Sequence, residues 1–470
     1  MNFIEYYLGQ NQDRRIIYYL GARCECSSLV NTLNMCVLED FYLVLEDDFY
    51  KEFCLKELSS KVGKATFDSI HFVSLDETRE ILSRDSHYTI VYDNAFVLST
   101  LVELSKYKPN RIIGCFDKDF STFDLWEKIR DYVDEIVLAT KVTEYKVDVL
   151  SWKRNPESDV ELSVILPVYN VAKYLDKCIE TISEWKAPYI EFVFVNDGSP
   201  DNSAELIKEY AKKDKRIKLL NKENGGCASA REYGMANTKG RYIGFVDPDD
   251  FINPTMFKKL LSNAMRGGYD ISYCKYLEYY EDTGSSKEVE DYSDLAYEFG
   301  TTEVNFIDNL IAYLRVAIWR CIYRREFIEQ NNLHFYIDLK RFDDLPFKVE
   351  TFARAKSVIC QEEPLYYYRL GREGQDVSVH DERLYVHFDI FKHLDEFFKM
   401  PRRSEQLLLY YQVKIQTHYW GFMNLDKQYE KEYLKRAAAD LHIRNNRHSW
   451  KKVIKQYYRK PEVKAFMKKL

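Results

Sequence analysis

The sequence predicts an α/β protein with a helical end. Three observations carry this. Six short β-rich runs alternate with helical stretches over roughly the first 140 residues, a second alternating series opens at Glu161, and the text beyond His380 is aromatic and helical without strand signal. At 470 residues the chain is long enough for several domains of roughly 150 residues each. A charged share of 30% with a hydrophobic share of 46% excludes a disordered chain. The 38 tyrosines suit half-buried surfaces and sugar-stacking clefts, or reflect biased composition.

The first series reads RIIYYLG from Arg15, FYLVLEDD from Phe41, IHFVSL from Ile70, YTIVYD from Tyr88, RIIGCF from Arg111 and EIVLAT from Glu135. Strands separated by helical stretches imply a parallel sheet with crossover helices, a small Rossmann-like α/β domain over residues 1–145. Gly21 ends the first run, but ARCECSS after it lacks the further glycines of a dinucleotide fingerprint, so a plain strand-ending turn is expected there. Residues 146–159, polar and closing near Asn155-Pro156, read as an interdomain linker. Residues 160–380 form the next domain, and 381–470 the helical C-terminal region.

Four junctions in the second series bear on chemistry. ELSVILPVYN from Glu161 is a β-branched strand running into a helix, with Pro167, Tyr169 and Asn170 at the turn. EFVFVNDGS from Glu191 repeats the arrangement and ends on Asp197, whose carboxylate could accept hydrogen bonds from a base edge or a ribose. NGGCASAR sets Gly225 and Gly226 before a helix that carries Arg231 about one turn inside, an arrangement suited to a pyrophosphate or simply a glycine turn with a solvated arginine. YIGFVDPDD runs a buried strand into three carboxylates. In an extended segment Asp247 and Asp249 share a face, and such clustering favours a hard divalent cation, Mn²⁺ or Mg²⁺. Helix capping is the other reading, although Asn253-Pro254 already supplies a cap. Further on, RFDDLPF carries a second acidic pair. One Asp serves as a helix cap ahead of Pro346, and the other is free to deprotonate a hydroxyl.

The ordered set VILPVYN, VNDGS, NGGCASAR, FVDPDD, WRCIY, FDDLPF and EEPLYYYRLGREGQDVS resembles the bacterial family 2 glycosyltransferases of capsule, lipopolysaccharide and related surface-glycan synthesis, over about residues 160–380. The resemblance implies a GT-A type nucleotide-sugar-binding domain. It implies further that Pro167, Tyr169 and Asp197 hold the nucleoside, and that Gly225, Gly226 and Arg231 lie at the pyrophosphate. Asp247 and Asp249 would form the DxD element, with Asp249 on the metal and Asp247 toward the ribose or the metal shell, and Asp344 would be the catalytic base. Asp343 stands where the family usually has Glu, and Glu232 where Asn commonly follows the arginine. His380 could approach the metal or be an ordinary surface histidine.

The expected reaction is a single displacement from a nucleoside-diphosphate sugar, a UDP-sugar by family precedent, to a hydroxyl of a growing glycan, lipid-linked in many relatives of that kind. Two other readings stay open: a non-catalytic nucleotide- or glycan-binding protein with the same fold, and a separate activity in residues 1–140. No nucleic-acid partner is expected. Ten cysteines with no CxxC pair, a start lacking a basic-then-apolar run and no apolar stretch of about 18 residues point to a reducing cytoplasm. From Arg444 to Leu470 ten basic residues face one acid, Glu462, so the rest of a chain whose total is −7 carries −16. This end forms two short amphipathic segments that either lie on an anionic membrane surface or pack on the acidic body of the protein itself.

Overall fold

The computed structural model describes residues 15–20, 40–44, 55–56, 58–62, 64–85, 88–93, 104–109, 111–116, 126–127, 130–133, 135–143, 146–153, 155, 158–290, 303–372, 379–441 and 461–470. The chain divides into two compact units, Met1–Glu157 with Met265–Gly268, and Ser158–Ala264 with Tyr269–Leu470.

The first unit is a seven-stranded sheet: β1 (Arg15–Leu20), β2 (Asp40–Val44), β3 (Ile70–Val73), β4 (Thr89–Asp93), β5 (Arg111–Phe116), β6 (Glu135–Thr143) and β7 (Lys146–Lys153). Its order is β3-β2-β1-β4-β5-β6-β7. All neighbours pair in parallel except β6 and β7. The first six strands thus follow the Rossmann order, which reverses direction between β1 and β4. Helix α1 (Leu75–Arg84) follows β3 and starts at a capping box in which Ser74 Oγ accepts from the Glu77 amide and the Glu77 carboxylate accepts from the Ser74 amide. Gly21 lies outside the described residues.

One expectation is corrected here. Residues 146–153, read as linker, are strand β7, paired antiparallel with β6 from Thr143↔Lys146 to Glu135↔Lys153. Val147, Val149 and Trp152 are strand formers, and Trp152 is buried edge-on against Trp126 at 6.0 Å between ring centroids. The polar residues between them masked the pattern.

The second unit is built on a nine-stranded mixed sheet. Its nucleotide-binding half comprises β8 (Leu162–Val168), α2 (Ala172–Ser183), β9 (Ile190–Asp197), α3 (Ser203–Lys213), β10 (Ile217–Lys222), α4 (Cys227–Ala236) and β11 (Tyr242–Phe245). Every residue of β9 and all but Pro167 of β8 are buried, as strands covered on both faces require. The chain continues through β12 (Phe251–Ile252), α5 (Met256–Gly267), β13 (Ile271–Tyr280), β14 (Ser285–Glu288), α6 (Val304–Tyr313), β15 (Cys321–Arg324), α7 (Arg325–Gln330), α8 (Asp344–Arg354) and β16 (Val358–Leu370). The strand order β10-β9-β8-β11-β15-β13-β16-β12, with β14 on β13, sets the ends of β8, β9 and β11 side by side.

Among the described residues, the helices towards the end of the chain are α9 (Val386–Phe397), α10 (Ser404–Asn424), α11 (Lys427–Asp440) and α12 (Pro461–Lys469). Residue 380 separates strand-rich from helical chain, but not two cores. Ile390, Phe391 and Leu394 of α9 and Leu409, Tyr410 and Val413 of α10 belong to the same buried cluster as Phe245, Phe335 and Phe347 of the sheet side.

The basic end meets its own protein. Phe466 of α12 is buried with Phe422, Leu425 and Tyr433, and Val463 with Ile415 and Leu441, while Lys468 and Lys469 stay exposed. The apolar face offered in the sequence to membrane headgroups is therefore spent on packing over 461–470. Residues 442–460 lie outside the described residues. Among the described residues no helix is long and apolar enough to cross a membrane.

Candidate active site

The two βα junctions that follow β8 and β9 are stitched together. Ser199 Oγ accepts from the Asn170 amide at 3.3 Å and donates to the Val168 carbonyl, while Asp201 accepts from the Ala172 amide at 2.9 Å. Asn170, at φ 55°, takes the left-handed turn that lifts the chain off the strand. Pro167 is half-buried there, and Tyr169 beyond it leaves 52% of its surface exposed, an unengaged aromatic face at the strand ends.

Asp197 ends β9, as the sequence reading placed it. Its carboxylate already accepts from the Gly225 amide (2.9 Å), the Gly226 amide (2.7 Å) and Lys222 Nζ (2.5 Å), and the residue is almost wholly buried. A strand-end carboxylate beside a glycine turn is satisfied first by the turn's own amides, so Asp197 shapes the loop before α4. The turn needs glycine: Gly226 has φ +92°, and a Cβ on Gly225 would press on Ser229 and Lys222. Lys340 Nζ donates to the Gly225 carbonyl at 2.9 Å from outside.

Arg231, buried on α4, joins the two acidic motifs. One terminal nitrogen donates to Asp247 Oδ1 at 2.6 Å and the other to Asp343 Oδ2 at 2.8 Å. Burial would discharge the guanidinium, but Asp343, Cys227 and Asp247 hold its proton well above the usual range. Its Nε is buried with no hydrogen-bond partner among the described residues.

The DPDD segment is not extended, as the same-face reading assumed. Pro248 starts a tight turn closed by the Asp250 amide on the Asp247 carbonyl at 2.9 Å. Asp247 keeps 26% of its side chain exposed and Asp249 only 6%. Asp249 pairs with Arg372 Nε, and its carbonyl accepts from Arg369 Nε at 2.7 Å. Burial raises its carboxyl to about 6, against the pull of Arg372. Asp250, unassigned from sequence, is the structural member: it accepts from Tyr366 Oη and the Arg369 amide, each at 2.8 Å. Asn253, expected to cap α5, lies three residues before it, its side chain accepting from the Thr255 amide at 3.0 Å in the turn that leads into the helix.

Asp343 occupies the cap position of α8 without a capping bond, because its carboxylate is turned to Arg231. Asp344, the first residue of α8, is half-buried, and among the described residues no cation pairs with it. Burial first, then the charges of Asp343 and Asp247, raise its carboxyl to about 7 against the pull of Arg231. This is the range of a working general base. His380 Nδ1 contacts the Asn424 carbonyl at 2.7 Å. Glu232 accepts from the Phe335 amide at 3.0 Å, a packing role.

Among the described residues no group of three or more His, Cys, Asp or Glu side chains is arranged to hold a metal. The donor set nevertheless fits a hard divalent cation. The negative charge of Asp247 raises the carboxyls of both Asp249 and Asp250, and Asp249 raises that of Asp250, a mutual repulsion that a cation would relieve. One or two carboxylates complemented by substrate phosphates suffice for Mg²⁺-like ions. Arg369, Arg372 and Tyr366 were missed in the sequence; the signal available was the excess of acids, which required buried cations nearby.

The description of glycosyl transferase family 2 matches residues 163–352. The chain is 36% identical over 212 residues to the uncharacterized glycosyltransferase EpsJ of Bacillus subtilis, covering 44% of this chain and 60% of EpsJ. It is 30% identical over 236 residues to the uncharacterized glycosyltransferase YibD of Escherichia coli, covering 48% of this chain and 68% of YibD. It is likewise 30% identical over 216 residues to glycosyltransferase GlyG of Streptococcus pneumoniae, covering 44% and 70%. The chain thus spans about 60% of the length of EpsJ and more than two thirds of the other two. With the ordered motifs gathered at the ends of β8, β9 and β11, the chain belongs to glycosyltransferase family 2, with a GT-A type domain behind a Rossmann-like unit and ahead of a helical end.

Proposed function

We propose that the protein is a metal-dependent, inverting glycosyltransferase that moves a sugar from a nucleoside-diphosphate sugar, a UDP-sugar by family precedent, to a hydroxyl of a growing surface glycan of capsule or lipopolysaccharide type. The observation that carries the reading is the Arg231 bridge between Asp247 and Asp343, with Asp344 beside it, paired with no cation among the described residues and raised to about 7. A carboxyl raised into that range beside the buried Arg231 bridge supports a catalytic reading over a purely binding one.

Tyr169 and the junctions after β8 and β9 support a nucleoside site, with Pro167 and Asp197 fixing its walls. The Gly225-Gly226 turn opens α4, whose amino terminus favours a diphosphate, and Arg231 stands one turn inside. Asp249, with Asp247 beside it, would hold Mn²⁺ or Mg²⁺, which supplies charge neutralisation for the departing diphosphate. Asp344 takes the proton from the acceptor hydroxyl. That oxygen then forms its bond to the anomeric carbon as the carbon–phosphate-oxygen bond breaks on the opposite face, and the electron pair leaves with the nucleoside diphosphate. An α-linked donor gives a β-linked product.

A cytoplasmic site and a lipid-linked acceptor are consistent with this reading. Any meeting of the basic end with an anionic membrane then works through exposed lysines such as Lys468 and Lys469, because the apolar face of α12 is already packed. The direct test is a panel of nucleotide sugars with Mn²⁺, read as thermal stabilisation and slow donor hydrolysis. One or more donors should stabilise the protein only with metal, and a panel that leaves the melting temperature unmoved counts against the proposal.

A further inference from the structure

The segment that carries the acidic pair is held by a feature that the reaction chemistry alone does not require. Phe342, immediately before Asp343 and Asp344, has φ +54°, a left-handed conformation that bulky residues seldom adopt and that persists only where surroundings enforce it. Its ring packs 5.3 Å from His387 of α9 and 5.9 Å from Trp420 of α10, and those two rings lie 5.9 Å apart, so the three close on one another. The Phe342 carbonyl accepts from the Leu345 amide at 3.2 Å, so the same residue closes the turn that presents Asp343 and Asp344. Phe342 also packs against both the sheet-side core and the core of the C-terminal helices.

His387 is itself locked. Its Nδ1 lies 3.1 Å from Tyr433 Oη, which lies 3.1 Å from His418 Nδ1, and His418 Nε2 reaches Asp440 at 2.7 Å. Lys414 extends the chain from Asp440 (3.0 Å) to Asp395 (2.8 Å). Gly421 of α10 leaves room for this: a Cβ there would collide with Tyr433 Oη and sit 2.9 Å from His387 Nδ1. A largely buried hydrogen-bonded network of this kind fixes ring positions rather than merely filling space.

We propose that Phe342, His387 and Trp420 are positioning residues for the acidic pair: the C-terminal helices clamp the Phe342 ring, hold residue 342 in the left-handed conformation, and so aim Asp344 at the acceptor hydroxyl while Asp343 stays on Arg231. This rests on Asp344 being the base.

The test compares Trp420→Ala, Trp420→Phe and Phe342→Gly in the full-length protein. The glycine variant keeps the backbone conformation accessible and removes only the ring. Trp420→Ala and Phe342→Gly should each lower kcat at least roughly tenfold, with metal-dependent donor affinity within about twofold of the parent. The apparent pKa of the pH–rate profile should move, and Trp420→Phe should restore most of the activity. Folded alanine and glycine variants with parental kcat and an unmoved pH profile would overturn the clamp. Hydrogen exchange at the Leu345 amide reads it without turnover: faster exchange there in both variants, with the later turns of α8 unchanged, is expected, and unchanged exchange rejects it. Absence of donor turnover in the parent protein alone would defeat the functional reading and leave the exchange result to decide the clamp.

Discussion

Asparagine at position 344 keeps the shape of the side chain and removes its ability to take a proton. Asp344→Asn should therefore slow transfer by roughly 10² or more while leaving donor affinity nearly intact. Asp343→Asn should act differently. It loosens a buried ion pair with Arg231, so donor binding and stability fall while turnover of bound donor changes less. Because the Asp344 carboxyl is raised to about 7 and must be ionised to act, activity should rise with pH through about 7 and drop tenfold per unit well below it. A profile flat from pH 5 to 8 excludes this base. Asp249→Asn replaces a hard anionic ligand by a neutral amide, so the expected result by calorimetry is loss of Mn²⁺-dependent nucleoside-diphosphate binding. Equal affinity in EDTA and Mn²⁺ for the parent protein would remove the metal from the mechanism.

At the scale of elements, α12 is a packing helix. Phe466→Ala should destabilise the protein by about 3 kcal/mol in urea titration, since it opens a cavity among Phe422, Leu425 and Tyr433. If removing the ring leaves the denaturation midpoint unmoved, α12 is not part of the core. The other reading of this end, packing on the acidic body, was open in the sequence; helical spacing of Val463 and Phe466 says only that one face is buried, not against what. The same limit explains the other differences. Strand β5 was legible because IIGCF after Arg111 carries no polar interruption, whereas β7 was hidden by Lys146, Asp148 and Ser151. Each acidic motif was visible from its own composition, but the Arg231–Asp343 pair joins residues 112 apart in sequence, a distance that local pattern does not span. Asp197 was placed correctly at a strand end, but its bonds to the Gly225 and Gly226 amides were not legible, because the sequence does not tell what a carboxylate there meets.

For the whole molecule, every site residue named above lies within one compact unit, Ser158–Ala264 with Tyr269–Leu470. A chain beginning at Asn155 should fold and retain metal-dependent donor binding. A folded chain of that length that fails to bind donor means the first unit completes the site. The buried carboxyls also set the response of stability to pH. Asp344 and Glu350 are each raised to about 7 by burial, from 3.8 and 4.5, so the folded state keeps protons that the unfolded chain releases. Their contribution is fully present below about pH 4 and is lost as pH rises through about 7, so their part of the melting temperature should decline over that window without metal, and Glu350→Gln should flatten the decline. The most direct measurement is release of nucleoside diphosphate from a panel of nucleotide sugars, with Mn²⁺, by the parent protein and by Asp344→Asn. The expected result is that at least one donor is cleaved by the parent and bound equally by the variant, which cleaves it roughly 10² more slowly; a donor bound by both and cleaved at the same rate would contradict Asp344 as the base.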